Sequence, residues 1–171
     1  MKRRDTLLAV AGAAALAGGL GWKLWRDSAE GGEDPGELWT LRFPRPAGGE
    51  LVMASLRGKP LLLNFWATWC APCIKEMPAL DRFQQRYAAQ GWQVVGLAVD
   101  GPTPVREYLQ RLPVSFAIGL AGFDGADLSR RLGNTSGALP FSAVFNRDGR
   151  LIRRKLGQSD DAELDAWAKL S

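Results

Sequence analysis

The two cysteines of the chain, Cys70 and Cys73, stand three positions apart directly behind the largely apolar run 61–66. The run predicts a buried strand and the residues after the pair predict a helix, so the pair lies at a strand-to-helix junction. The unpaired N–H groups and partial positive charge of a helix N-terminus favour thiolate over thiol at the first sulfur. The second sulfur, one turn on, can displace a partner that the first has captured. The junction therefore predicts a site for thiol–disulfide exchange.

Two other uses of the pair are open. A passive disulfide would close a very short ring, to which the chain-entropy model assigns only about 2 kcal/mol. A zinc site would need four ligands, mostly cysteine and histidine, and the chain has no histidine and no third cysteine. We therefore expect redox exchange at Cys70 and Cys73, with no metal and no cofactor besides the redox-active disulfide itself.

The net charge of +4 belongs to the N-terminal segment. Up to Arg26 the chain carries five basic residues and one acidic residue, and the remainder holds equal numbers of each. The remainder thus offers no electrostatic reason to expect nucleic-acid binding. A basic start at residues 2–4 precedes the uncharged, small and apolar stretch 6–22. This pattern is typical of an export signal.

Three fates of that stretch are open. It could stay as an uncleaved anchor, be cleaved after the Ala-Leu-Ala sequence 15–17, or direct twin-arginine export through Arg3 and Arg4. We predict a membrane anchor over residues 1–26, because the Trp- and Lys-containing flank 22–26 resembles an interfacial belt. The basic start favours a cytoplasmic N-terminus in the bacterial inner membrane, which places the cysteines in the periplasm. Cleavage would instead release the domain there.

The remainder of the chain divides into a linker and one domain. Residues 27–37 are acidic, contain Gly and Pro and lack apolar periodicity, which predicts a flexible linker. The folded domain then covers residues 38–171 and begins with a hairpin of short strands over 39–43 and 51–53, around a glycine turn. After the strand 61–66, the pattern predicts helix 70–90, strand 93–99, helix 104–112, strand 116–120, helix 126–132, a hairpin of strands 141–146 and 150–156 around Asp-Gly, and helix 161–170. This order predicts an α/β fold, a mixed sheet covered by helices.

The motif Asn-Phe-Trp-Ala-Thr-Trp-Cys-Ala-Pro-Cys-x-x-Glu-x-Pro at 64–78, with Leu139-Pro140 and Asn-Arg-Asp-Gly-Arg at 146–150, resembles the thioredoxin superfamily. Over residues 38–171 the chain resembles, more closely, the TlpA/ResA-like membrane-tethered thiol–disulfide oxidoreductases. The resemblance implies a thioredoxin-like fold and a domain on the oxidising side of the membrane. It also implies a reductase role there, often in cytochrome maturation. The expected partners are disulfide-bearing client proteins such as apo-cytochromes, and a membrane dithiol that donates electrons.

Two details separate the chain from relatives. Asn64 stands where cytosolic thioredoxins carry a buried acid, so that proton acceptor is missing. The Gly-Val-Tyr-Gly-Ala-Pro pattern of dedicated cytochrome c maturation reductases is absent, since the chain reads Asn-Thr-Ser-Gly-Ala-Leu-Pro at 134–140. The identity of the client protein therefore stays open.

Each residue of the motif has an expected role. Cys70, at the junction, should be the more exposed nucleophile, and Cys73, one turn in, the resolving thiol. Pro72 should help to hold the loop that sets their spacing. Trp69 should shield one side of the sulfur and offer a surface to partners, although simple packing is the alternative.

Two further residues complete the predicted site. Glu76 lies one helical turn beyond Cys73 on the same side, and with no histidine available it is the expected proton acceptor when the resolving thiol attacks. The alternative is a solvated helix glutamate. The Leu139–Pro140 bond should be cis and should lie across from the cysteine loop, because Pro140 precedes a strand that starts there in this fold.

Other activities remain alternatives. A general thiol oxidant or isomerase would use the same pair, and the reduction potential decides between these directions. A copper-delivery protein on the same scaffold would ordinarily recruit a histidine beside the two cysteines, and a pure interaction domain would show no exchange at all. A peroxidase is a weaker alternative, because two cysteines in this spacing and no others fit dithiol exchange better.

Overall fold

The computed structural model describes residues 32–170. The predicted anchor over residues 1–26 and the linker up to residue 31 lie outside this range. Within the range, no helix is both long enough and apolar enough to cross a membrane.

A five-stranded mixed sheet forms the centre of the domain, preceded by a two-stranded hairpin of β1 (Arg42–Pro44) and β2 (Glu50–Val52). The strands of the sheet are β3 (Leu61–Trp66), β4 (Gln93–Ala98), β5 (Ala117–Leu120), β6 (Phe141–Phe145) and β7 (Leu151–Leu156). In space they run in the order β5-β4-β3-β6-β7. The first three are mutually parallel, whereas β6 is antiparallel to β3 and β7 is antiparallel to β6. The predicted mixed sheet with a leading hairpin is confirmed.

Helices cover both faces of the sheet. They are α1 (Ala71–Tyr87), α2 (Pro102–Arg111), α3 (Asp124–Arg131) and α4 (Asp161–Trp167). Side chains of β3 alternate between two cores. Leu62 and Trp66 pack in the core that contains the cysteines and Trp167 of α4. Phe65 and its odd-numbered neighbours pack in the opposite core, with Leu128 of α3. Asn64 shares its face with Leu62 and Trp66, so an amide stands in the apolar layer under α1.

The start of the domain differs from the prediction. Residues 36–40 form a 3₁₀ helix where the pattern predicted linker and then a strand, and β1 begins only at Arg42. Leu38 and Trp39 are consecutive and both buried, which the alternation of a strand with one solvent-exposed face does not allow. The indole N–H of Trp39 donates to the Gly149 carbonyl at 3.0 Å, in the β6–β7 turn.

The predicted linker also ends earlier than the sequence suggested. Glu33 pairs antiparallel with Leu151 at the start of β7, with N–H···O distances of 2.8 and 2.7 Å. Its carboxylate forms an ion pair with Arg154 on the same strand. Residues 33–37 therefore belong to the folded domain, because β7 is an edge strand whose free backbone groups are available to pair with them.

Candidate active site

The loop between β3 and α1 carries the two cysteines. Cys70 is the N-cap of α1, and its sulfur accepts the N–H of Cys73 at an N···S distance of 3.3 Å. Pro72 occupies the first turn of the helix, where its missing N–H costs no hydrogen bond and its fixed φ suits the helix start. The predicted junction is therefore present, with both cysteines in its first helical turn.

Cys70 and Cys73 are joined by a disulfide, with their Cα atoms 5.2 Å apart. Cys70 is 6% exposed and Cys73 is 1% exposed, so the sulfur that solvent and partners can reach belongs to Cys70. The N–H that its sulfur accepts is placed to stabilise a thiolate there after reduction. Trp69 beside it is 67% exposed. This exposure excludes a core-packing role for the indole and leaves it available to a partner.

An aspartate that sequence reasoning missed, Asp100, holds the loop that leads from β3 to the cysteines. Asp100 follows β4, is mostly buried, and accepts hydrogen bonds from the Thr68 N–H at 2.9 Å and the Thr68 hydroxyl at 2.6 Å. It also accepts the Gly101 N–H at 2.7 Å. Because β4 is parallel to β3, the ends of both strands meet at one edge of the sheet. An acid directly behind a buried strand was the signal that could have pointed to it.

The Leu139–Pro140 peptide bond is cis, as predicted. Pro140 comes immediately before β6, whose first residue Phe141 pairs with Phe65 near the end of β3. This register places the cis bond at the edge of the sheet from which the cysteine loop emerges. The Pro140 carbonyl accepts the Gly157 N–H at 2.8 Å, which ties the bond to the end of β7.

Glu76 is not a solvated helix residue. It is 1% exposed, on the same face of α1 as Cys73 one turn earlier. Asn64 donates from Nδ2 to Glu76 Oε1 at 3.4 Å and to the Ser142 hydroxyl at 3.0 Å. Asn64 therefore orients the carboxyl group from the position where cytosolic thioredoxins carry an acid.

Burial raises the pKa of the Glu76 carboxyl from its ordinary 4.5 to about 8. The backbone and hydroxyl of Ser159 approach the carboxyl and oppose this rise. Their approach falls short of a side-chain hydrogen bond, because Glu76 Oε2 and Ser159 Oγ are each buried without a hydrogen-bond partner. The carboxyl is therefore held in a largely desolvated site with one oxygen unpaired.

A carboxyl with this pKa matches a cysteine thiol, whose ordinary pKa is about 8.5. Proton transfer between two groups of similar pKa is nearly balanced in free energy, so it can run in either direction. Ionised Glu76 can take the proton of Cys73 when Cys73 attacks a mixed disulfide at Cys70. Protonated Glu76 can return it when an incoming thiolate at Cys70 expels Cys73. The arrangement can thus serve exchange in both directions.

Residues 41–168 match the family model described as Redoxin. The chain belongs to the Redoxin family. It is 27% identical over 125 residues to the thiol-disulfide oxidoreductase ResA of Bacillus thuringiensis (strain Al Hakam). The aligned region covers 71% of this chain and 69% of the relative. A thiol:disulfide interchange protein of the thioredoxin family from Chlorobium tepidum TLS superposes with a TM-score of 0.67 and 27% identity, covering 77% of this chain and 93% of that one. A thioredoxin-related protein from Neisseria meningitidis serogroup B gives a TM-score of 0.61 and 32% identity, over 68% and 87%.

These similarities confirm the thioredoxin-like fold and the ResA-like assignment. Together with the Cys70–Cys73 disulfide they make this Redoxin chain a thiol–disulfide oxidoreductase. Within residues 32–170, no group of three or more Cys, Asp or Glu side chains is arranged to hold a metal ion. Sequence reasoning named the cysteines, Glu76, Asn64 and Pro140. The structure places the cysteine loop and Pro140 at one edge of the sheet, and Glu76 with Asn64 in the buried layer between α1 and the sheet. Sequence reasoning missed Asp100, Ser142 and Ser159.

Proposed function

We propose that the chain is a protein-disulfide reductase that acts outside the cytoplasm on exported proteins. The observation that carries the direction of electron flow is the buried Glu76 carboxyl one turn from Cys73. Strong thiol oxidants owe their potential to a reduced form that is stabilised as thiolate. Here the buried carboxyl lies one turn from Cys73, so its ionisation and that of the thiols oppose each other by like-charge repulsion. The dithiol form gains less stabilisation from ionisation, which favours reduction of the client.

The reaction proceeds by two exchanges. The Cys70 thiolate attacks a client disulfide, forms a mixed disulfide and expels the first client thiolate. Cys73 then gives its proton to Glu76 and attacks the sulfur of Cys70, which expels the second client thiolate and leaves Cys70–Cys73 oxidised. Two electrons pass from the protein dithiol to the client disulfide, and the protons released pass to the client thiolates through Glu76 and solvent. A membrane dithiol donor would restore the reduced pair.

The reduction potential tests this direction. Equilibration of the full chain with glutathione buffers should give a potential on the order of that of thioredoxin, about −270 mV, or lower. A general oxidant would instead have a reduction potential of about −120 mV. A potential in that upper range would overturn the reductase proposal and leave the oxidant as the function of the same site.

We also propose that residues 1–26 hold the protein in the inner membrane with the domain in the periplasm. The support is the basic start, the uncharged stretch and the Trp- and Lys-containing flank. Fractionation of cells should find the full-length chain in the membrane, and protease added to spheroplasts should degrade the domain. Recovery of a mature form that begins at Gly18 in the periplasmic fraction would show cleavage, and a protease-protected domain would show the opposite orientation.

The clients we propose are apo-cytochromes or other exported proteins that carry disulfides. The exposed Trp69 beside the reachable sulfur of Cys70 supports a macromolecular partner, because tryptophan is enriched among the residues that carry binding energy at protein interfaces. The general oxidant or isomerase remains the second candidate, since it would use the same surface and the same two cysteines.

A further inference from the structure

A row of polar side chains crosses the sheet beneath α1. Asn64 of β3 is the register partner of Ser142 of β6, and Ser142 is the register partner of Lys155 of β7. Partners in adjacent strands project to the same face of a sheet. Asn64 contacts Glu76 on that face, so the row runs from the buried carboxyl towards the edge strand.

A half-buried ion pair stands at the outer end of this row. Lys155 Nζ lies 2.9 Å from each carboxylate oxygen of Glu163, which projects from α4. About a third of each side chain is exposed, 33% for Lys155 and 31% for Glu163. The pair is therefore only partly exposed to solvent and lies on the face of the sheet that also holds Glu76.

Ser159 lies next to the same carboxyl. It is 1% exposed and precedes Asp160, the N-cap of α4. Its hydroxyl and Glu76 Oε2 are both buried and without hydrogen-bond partners. The region between Glu76 and the start of α4 thus contains two buried polar atoms without hydrogen-bond partners, and charges near it are weakly screened.

We propose that Lys155 and Glu163 are positioning residues for the reaction, a pair of opposite charges that sets how readily the buried Glu76 exchanges its proton with Cys73. The inference rests on the thiol–disulfide exchange activity of the site. Neither Lys155 nor Glu163 belongs to the sequence motif that identified the site. Each member acts through Glu76, which alone of the three lies beside Cys73 on α1.

The two charges act on Glu76 in opposite senses. The positive charge of Lys155 favours the ionised carboxylate and lowers the Glu76 pKa, whereas the negative charge of Glu163 raises it. Within residues 32–170, the other polar groups around Glu76 are uncharged: Asn64 from β3, Ser142 from β6 and Ser159 from the turn before α4. Cys73 on α1 is held in the disulfide. Removal of one member of the pair therefore leaves the other unopposed.

Because the two charges act in opposite senses, the two single variants should shift the titration midpoint of Glu76 in opposite directions. In the full-length oxidised protein the thiols do not titrate, so the protonated carboxyl band of Glu76 can be followed by infrared titration and assigned by its loss in Glu76→Gln. Lys155→Gln should raise the midpoint by about half a pH unit or more, and Glu163→Gln should lower it by a similar amount. The double variant should return close to the wild-type midpoint.

Asp161→Asn is the matched control. Asp161 forms an ion pair with Arg82 that also joins α4 to α1, but both side chains lie about half exposed on the surface. Its loss should leave the Glu76 midpoint unchanged. Wild-type midpoints in both single variants, or shifts of the same sign, would overturn the proposal.

A second readout connects the pair to the reaction. The pH profile of single-turnover oxidation of the reduced protein by glutathione disulfide should move in the same two directions as the infrared midpoints. A profile that stays in place while the midpoints move would show that the pair does not control the reaction. If every variant and the wild type fail to react, the proposed function fails, while the infrared midpoints still decide the electrostatic role of the pair.

Discussion

Replacement of Glu76 by glutamine is expected to stabilise the oxidised protein relative to wild type, by a margin that grows with pH. The Glu76 pKa is about 8 in the folded protein and 4.5 as its ordinary value. Between these values the folded state keeps a proton that the unfolded state loses. This carboxyl therefore lowers the free energy of unfolding by about 1.4 kcal/mol per pH unit as pH rises through that window. Glutamine does not ionise and removes this slope.

Urea unfolding of the oxidised protein at a series of pH values measures the effect. The difference between Glu76→Gln and wild type should be small near pH 4.5, should increase up to about pH 8 and should level off above it. Glu107→Gln, the same substitution at an exposed position of α2, is the control and should run parallel to wild type. A Glu76→Gln curve that is also parallel to wild type would mean that Glu76 is not a neutral buried acid.

Replacement of Cys70 by serine should reduce disulfide-reductase turnover to the background rate. The serine hydroxyl does not supply the thiolate that attacks a disulfide, and Cys73 at 1% exposure is out of reach of a client. Cys73→Ser should instead stop after the first exchange and accumulate a mixed disulfide between Cys70 and the client, because no second thiol is present to resolve it.

Turnover assays with a disulfide-bonded protein substrate, together with non-reducing electrophoresis, separate the two variants. The double variant should behave like Cys70→Ser, because the two cysteines act in sequence on one reaction. A mixed disulfide that forms through Cys73 in Cys70→Ser would reverse the assigned roles. Normal turnover in Cys73→Ser would remove the resolving role.

Much of the fold could be predicted from local pattern. The apolar run before the cysteines, the helix behind them and the β6–β7 hairpin around Asp148-Gly149 all carry short-range signals. Element boundaries agree within a few residues; for example, α1 covers Ala71–Tyr87 where a helix over 70–90 was predicted. The exception is the start of the domain, where Trp39 and Glu33 contact the β6–β7 turn and β7 more than a hundred residues away. No window of sequence contains both partners of such contacts.

The sequence by itself determined where the chemistry occurs. Two cysteines behind a buried strand and at a helix start place a reactive sulfur at a helix N-cap, and this outcome needs only neighbouring residues. The resemblance to the thioredoxin superfamily also indicated which proline follows a cis bond, because Pro140 precedes the strand that starts across from the cysteine loop in that fold.

Only the tertiary structure decided the protonation of the site. The sequence could not distinguish a solvated Glu76 from a buried one, because the residues around it in the helix are the same whether or not other elements cover it. Its surroundings come from β3, β6, β7 and the turn before α4, through Asn64, Ser142, Lys155 and Ser159. Desolvation and the field of nearby charges depend on every element that packs around a group. The pKa that suits Glu76 for proton exchange is therefore a property of the assembled fold.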